Sequence, residues 1–185
     1  GGLVANIMLA ARGDSIGKAS MDFIEKSNYG EFIPKAAALY KKYRDFFVLP
    51  VDAAYTENGK RKESAAGSIP DSAAITDIGT KTAELYQKII RESKTVFVNG
   101  PMGVFEESET EKGTKAVWDA LGDTKAFTVV GGGDSITATT KYGKTDDISY
   151  ICTGGGALIR FLTGEELPVV KALREAAVKF PAGAK

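Results

Sequence analysis

Three strings in the sequence combine glycine with residues able to bind an anion or a metal: Asn99-Gly100-Pro101-Met102-Gly103, Gly131-Gly132-Gly133-Asp134-Ser135 and Thr153-Gly154-Gly155-Gly156. Each directly follows a short β-rich run, at 94–98, 126–130 and 148–152. In a parallel sheet such turns all lie at the carboxyl edge, where helix N-termini present unpaired N–H groups and a positive dipole end. Glycine suits them because a Cβ blocks both positive φ and close approach of backbone to an anion. Taken singly, each turn is most simply a tight connection. Three at successive strand ends point to a phosphate cradle, and so to nucleotide chemistry.

The side chains around these turns refine that reading. Asp134 enters a helix from a glycine run; alone it is a helix cap or dipole partner. Beside a phosphate cradle it becomes the leading Mg²⁺ ligand, because Mg²⁺ takes one or two carboxylates together with phosphate oxygens and water. Ser135 either caps the helix or bonds a phosphate, and the sequence does not separate the two. Glu106 either accepts from a ribose hydroxyl, as acidic residues do in dinucleotide folds, or is solvated like Glu107, Glu109 and Glu111; the solvated reading is the simpler. The Gly100-Pro101 bond fixes a turn that stops the strand. Cys152, with no base to activate it, is expected as a buried packing residue, and Trp118 as core rather than a base-stacking platform.

The elements that position these residues follow from hydrophobic periodicity. Residues 3–11 read as a buried helix stopped by Gly13, and 21–43 as a surface helix with Pro34 tolerated in a first turn. Residues 45–50 read as a buried strand ended by proline, and 52–77, with Asn58-Gly59, Gly67 and Pro70, as loop with a few short elements at most. Helices are expected over 80–92, 114–121, from 135, over 156–162 and around 169–178, alternating with the three strands. That order predicts an α/β, Rossmann-like, doubly wound and mostly parallel sheet with helices on both faces, a three-layer α/β/α domain.

Composition bounds the chemistry. The 185 residues suit one domain with a sizeable core. Lys plus Arg and Asp plus Glu are both 24, so no global field draws nucleic acid or an anionic membrane, and no apolar run approaches the roughly 20 residues of a membrane helix. The single cysteine excludes an intrachain disulfide, and the absence of histidine excludes Ser-His-Asp hydrolysis, Cys-His proteolysis and His-ligated zinc. What remains is chemistry by positioning and electrostatics. Gly1 leads at once into an apolar run, with neither Met nor a basic region before it. Either the chain is part of something longer or Gly1 and Gly2 are added residues.

The strings Gly1-Gly2-Leu3-Val4-Ala5-Asn6, Leu49-Pro50-Val51-Asp52, 98–106 (Val-Asn-Gly-Pro-Met-Gly-Val-Phe-Glu), 131–135 and 153–157 together resemble, in order, the signatures of the phosphoglycerate kinase family. The resemblance makes the initial glycines native and implies that residues 1–185 are most of the carboxyl-terminal, nucleotide-binding lobe. It implies Mg²⁺-dependent phosphoryl transfer between 1,3-bisphosphoglycerate and ADP, in glycolysis and in the cytoplasm. Gly1 and Gly2 would then line the adenine pocket opposite Ile75 and Thr76. Asn99, Gly100, Pro101, Gly103 and Val104 would contact the nucleotide, and Glu106 its ribose. Asp134 would hold Mg²⁺, and Gly132, Gly133 and Ser135 would place donors near the transferring group. Gly154, Gly155 and Gly156 would present a second helix start to its developing charge. The family's other lobe, which binds 3-phosphoglycerate, and an upstream Gly-Ala/Ser-Lys motif have no counterpart in these residues, so the chain alone is expected to be inactive. Cys152 stands where serine is common, and the segment beyond Leu167 would lack its usual partner in the other lobe. Two other classes are weaker: a non-catalytic nucleotide-binding module, and a dinucleotide oxidoreductase, for which no Gly-x-Gly-x-x-Gly follows the first strand.

Overall fold

A computed structural model describes residues 1–180. The apolar opening forms helix α1 (Gly2–Arg12), which buries Ala5, Ile7, Met8 and Leu9. It ends on Gly13 in the left-handed region, whose N–H returns to the Ala10 carbonyl. The run expected as one surface helix is two, α2 (Lys18–Lys26) and α3 (Phe32–Tyr43), because Asn28 takes φ 60° between them. Pro34 does sit in the first turn of α3. Residues 45–50 do not form the expected strand. A 3-10 turn over Arg44–Phe46 continues from α3, and the aromatics pack back on that helix, with ring centroids 5.9 Å apart for Tyr40 and Phe47 and 6.5 Å for Tyr43 and Phe46.

The segment read as loop instead builds an antiparallel sheet of β1 (Asp52–Glu57), β2 (Lys60–Ala65) and β3 (Ile75–Ile78), in the order β2-β1-β3. Asn58 and Gly59, at φ 50° and 71°, make the two-residue hairpin turn between β1 and β2. The second strand, Lys-Arg-Lys-Glu-Ser-Ala, has charges where a core strand has alternating apolar residues, as befits a sheet edge.

Helix α4 (Thr80–Glu92) follows, then β4 (Thr95–Asn99), α5 (Lys112–Asp123), β5 (Phe127–Gly131), α6 (Gly133–Lys141), β6 (Tyr150–Cys152), α7 (Gly156–Leu162) and α8 (Pro168–Lys179). These strands form a parallel sheet, β4-β5-β6, flanked by helices, the α/β class anticipated from the alternation. Val98 and Val130 join Ile90, Val117, Trp118 and Leu121 in its core. Trp118 is fully buried and donates its indole N–H to Thr139 Oγ1 at 2.9 Å. On the other side Leu158 of α7 approaches Gly131, while Phe97, Phe127 and Tyr150 stay exposed. Cys152 is half-buried, not buried as expected, because β6 is a short strand that, among the described residues, pairs on one side only. Among the described residues no helix is long and apolar enough to cross a membrane.

Candidate functional site

Register sets the site. Asn99 pairs with Gly131 and Gly131 with Cys152, so the three glycine turns leave the parallel sheet level with one another. The first turn borders a cleft of about 740 Å³ that also takes in Gly1, Gly2, Leu3 and Val4 at the start of α1 and Ile75 and Thr76 of β3. Of the residues singled out in the sequence, Gly1, Gly2, Asn99, Gly100, Pro101, Gly103 and Val104 all line it. The turn is in backbone contact with both neighbours. A Cβ on Gly1 would fall 2.5 Å from Met102 Cα, and one on Gly103 would fall 2.0 Å from the Thr76 carbonyl oxygen. In these gaps lie two hydrogen bonds, from Gly2 N–H to the Met102 carbonyl (2.7 Å) and from Val104 N–H to the Thr76 carbonyl (2.8 Å). The result is a slot with mainly apolar walls, suited to a flat ring.

Behind this slot a buried ionic cluster fixes β3 against α5. Asp77 is 1% exposed; its Oδ2 accepts from Gly113 N–H at 2.6 Å and from Arg61 Nη1 at 2.9 Å, and its Oδ1 from Ile78 N–H. Burial pushes its carboxyl above the ordinary range, while the Gly113 and Arg61 donors pull it back. Arg61 also donates to Glu63 and to the carbonyls of Ile78 and Glu109. The next residue of α5, Thr114, accepts from Met102 N–H at 3.1 Å. One helix start therefore anchors both the strand and the turn that border the cleft. Nothing in the sequence singled out Asp77, Arg61 or Thr114, because a buried ion pair spanning 16 residues has no periodicity. Asp52 has a parallel role: from β1 its carboxylate accepts the N–H groups of Lys81 (2.9 Å) and Thr82 (2.8 Å), capping α4.

The second and third turns lie beyond the cleft lining. Gly132 and Gly155 adopt φ 91° and 46° as the residues preceding α6 and α7, conformations that favour glycine. Space around Gly133, Gly155 and Gly156 is open where a Cβ would stand, whereas Gly154 lies against Cys152 Sγ. Asn99 Oδ1 is 2.9 Å from the Cβ position of Gly132, bringing the first turn to the second. Asp134 is exposed in the first turn of α6. Among the described residues no cluster of three or more acidic or cysteine side chains could cage a metal. A single exposed carboxylate at an open glycine turn fits Mg²⁺ carried mainly by phosphate oxygens and water. Ser135 ties the second turn to the first: it is fully buried and its Oγ accepts from Gly100 N–H at 2.6 Å. Glu106 is exposed at the far end of the first turn, outside the cleft lining, next to the buried Phe105.

Fold and site together define an α/β protein whose cleft and open glycine turns sit at the carboxyl ends of parallel strands, where such proteins place phosphorylated ligands. The sequence profile of the Phosphoglycerate kinase family matches residues 1–165. The chain belongs to the phosphoglycerate kinase family. It is 45% identical over 174 residues to "Phosphoglycerate kinase" of Methanothermobacter thermautotrophicus, covering 94% of this chain and 42% of that protein. The crystal structure of phosphoglycerate kinase from Pyrococcus horikoshii superposes with a TM-score of 0.88 at 39% identity, over 97% of this chain and 45% of that one. Phosphoglycerate kinase from Coxiella burnetii gives 0.82 at 33% identity, over 97% and 46%. The chain thus spans less than half the length of these relatives.

Proposed function

We propose that the chain is the carboxyl-terminal, nucleotide-binding lobe of a phosphoglycerate kinase. The whole protein then moves a phosphoryl group between 1,3-bisphosphoglycerate and ADP in glycolysis, in the cytoplasm. The observation that carries this reading is the level placement of three glycine turns beside an apolar cleft. The slot between Gly1, Gly2, Thr76 and Gly103 takes the adenine, Asn99, Gly100, Pro101 and Val104 continue along the nucleoside, and Glu106 accepts from the ribose. Open space at Gly133, Gly155 and Gly156 lets backbone N–H groups approach phosphate oxygens. Phosphoryl transfer asks little covalent chemistry of a protein; donors fixed in advance stabilise the charge that spreads over the moving group. Gly132 and Gly133 at the start of α6 and Gly154, Gly155 and Gly156 at the start of α7 have that part. Asp134 holds Mg²⁺, which supplies neutralisation of phosphate charge when bound. The acceptor, 3-phosphoglycerate, is bound by the family's other lobe, so these residues alone bind nucleotide without turning it over.

The test has two arms. A coupled assay supplying this chain with ATP, Mg²⁺ and 3-phosphoglycerate is expected to stay at the blank rate, and appreciable turnover would overturn the half-site reading. Calorimetric titration with ADP, with and without Mg²⁺, is expected to show a Mg²⁺-dependent affinity that Asp134→Asn abolishes. Unchanged Mg²⁺ dependence in that variant rules out the ligand role of Asp134.

A further inference from the structure

Helix α6 touches the 99–106 turn at both ends. Near its N-terminus Ser135 Oγ accepts the N–H of Gly100, where the turn begins. At its C-terminus Lys141 Nζ donates to the carbonyl of Phe105, where the turn ends. Six residues separate Ser135 from Lys141, about 9 Å of helix. Lys141 is itself held: its ammonium pairs with Glu111 at 2.8 Å, and Tyr142 donates to the same carboxylate at 3.2 Å. The ammonium also lies 5.9 Å from the centroid of the Phe105 ring and 5.6 Å from that of Tyr142. A lysine whose only partner were Glu111 would make a surface ion pair of little consequence. One that also grips a main-chain carbonyl beside Glu106 constrains the backbone that presents that residue.

We propose that Lys141 is a positioning residue: with Ser135 it clamps the 99–106 turn onto α6, so the nucleoside contacts and the phosphate-facing start of α6 move as one body. The functional half of this proposal rests on the nucleotide reading above; the clamp itself does not. Lys141→Met keeps the apolar stem and removes the donor and charge. In the free chain, hydrogen exchange of the Val104 amide, followed by NMR, should quicken about tenfold or more, while the Val130 amide stays protected. Affinities for ADP and for adenosine should fall by a similar factor, about tenfold each, because the loss lies on the nucleoside side. Lys141→Arg should restore both readouts.

Unchanged Val104 exchange overturns the clamp, even if ADP binding weakens. Faster exchange with unchanged ADP affinity overturns the positioning role. If the wild-type chain binds no ADP, the nucleotide reading fails while Val104 exchange still decides the clamp. Should Lys141→Met loosen Val130 as well, Glu111→Gln is read in its place. That change frees the lysine from its carboxylate while the fold keeps its other contacts, and Val104 exchange should rise severalfold. No rise overturns the clamp.

Discussion

Gly103→Ala tests the packing that shapes the cleft. The added Cβ would stand 2.0 Å from the Thr76 carbonyl oxygen, 2.6 Å from Asp77 Cα and 2.8 Å from the Thr76 carbonyl carbon. All three are main-chain atoms, so no side-chain rotation relieves the clash. To reach even a tight contact of 3.0 Å the turn and β3 must separate by about 1 Å, which weakens or breaks the Val104 N–H bond to the same carbonyl, now 2.8 Å long. β3 yields little, since Asp77 pins it to Gly113 and Arg61. Overpacking of this kind costs roughly 1–3 kcal/mol and a lost hydrogen bond about 1 kcal/mol more. For a chain of this size roughly 2–4 kcal/mol corresponds to a midpoint lower by about 5–15 °C. Circular dichroism melting should show that drop, and ADP titration of the still-folded variant at 20 °C should show at least tenfold weaker binding. A midpoint within about 2 °C of wild type together with unchanged affinity would refute the inference that close backbone approach sets the width of the slot.

Gly133→Ala should behave in the opposite way. Its Cβ meets nothing within 4 Å and the residue opens α6, so stability should stay level or rise by up to about 1 kcal/mol. MgADP affinity should nevertheless fall about tenfold, because the methyl projects where phosphate oxygens are proposed to approach; calorimetry with intact binding would remove Gly133 from the cradle. The Glu111–Lys141 pair gives a pH prediction. Its hydrogen bond with Lys141 holds the Glu111 carboxyl below the ordinary glutamate range in the folded chain, against a smaller opposing effect of burial. A lowered folded pKa stabilises above the unfolded value and loses that contribution as pH falls through the folded one. The urea-unfolding difference between wild type and Glu111→Gln should therefore be present at pH 7 and shrink as pH falls below the ordinary glutamate range. A difference that does not shrink as pH falls below that range would show that the pair does not titrate as described.

Local elements were largely legible in the sequence where periodicity was strong. The helices at 80–92 and 156–162 match residue for residue, and the three glycine turns fall at parallel strand ends as their composition required. The antiparallel sheet was not legible, because a strand reading Lys-Arg-Lys-Glu-Ser-Ala has no alternation to detect and its hairpin shows only in Asn58-Gly59. The run at 45–50 failed in the other direction. Its aromatic β propensity was spent on packing against α3, since among the described residues no strand stands beside it to pair. At the site, composition located the glycines but could not say which face backbone and which face open space. That distinction depends on Thr76 and Met102, residues distant in sequence from the glycines they meet or outwardly unremarkable beside them.

The Arg61–Asp77 cluster explains why an ionic group lies behind an apolar cleft. Taking the Asp77 carboxylate out of water is unfavourable, as its raised pKa records, and an apolar pair of equal volume would fill the same space. Such a pair, however, has no direction. Asp77 spends one oxygen on Gly113 N–H and Arg61, and the other on Ile78 N–H, so β3 cannot slide relative to α5 without leaving a buried charge unpaired. Thr114 applies the same logic to Met102, one residue further along the helix. Among the described residues no buried side-chain polar atom lacks a partner, so this network is fully satisfied. The cleft lies where two sheets of different kind meet, the antiparallel one supplying Thr76 and the parallel one the glycine turn. Neither sheet's own hydrogen bonds fix the distance between them. The start of α5 and the Val104 N–H bond to the Thr76 carbonyl do, and they hold the turn so close to β3 that only glycine fits at position 103.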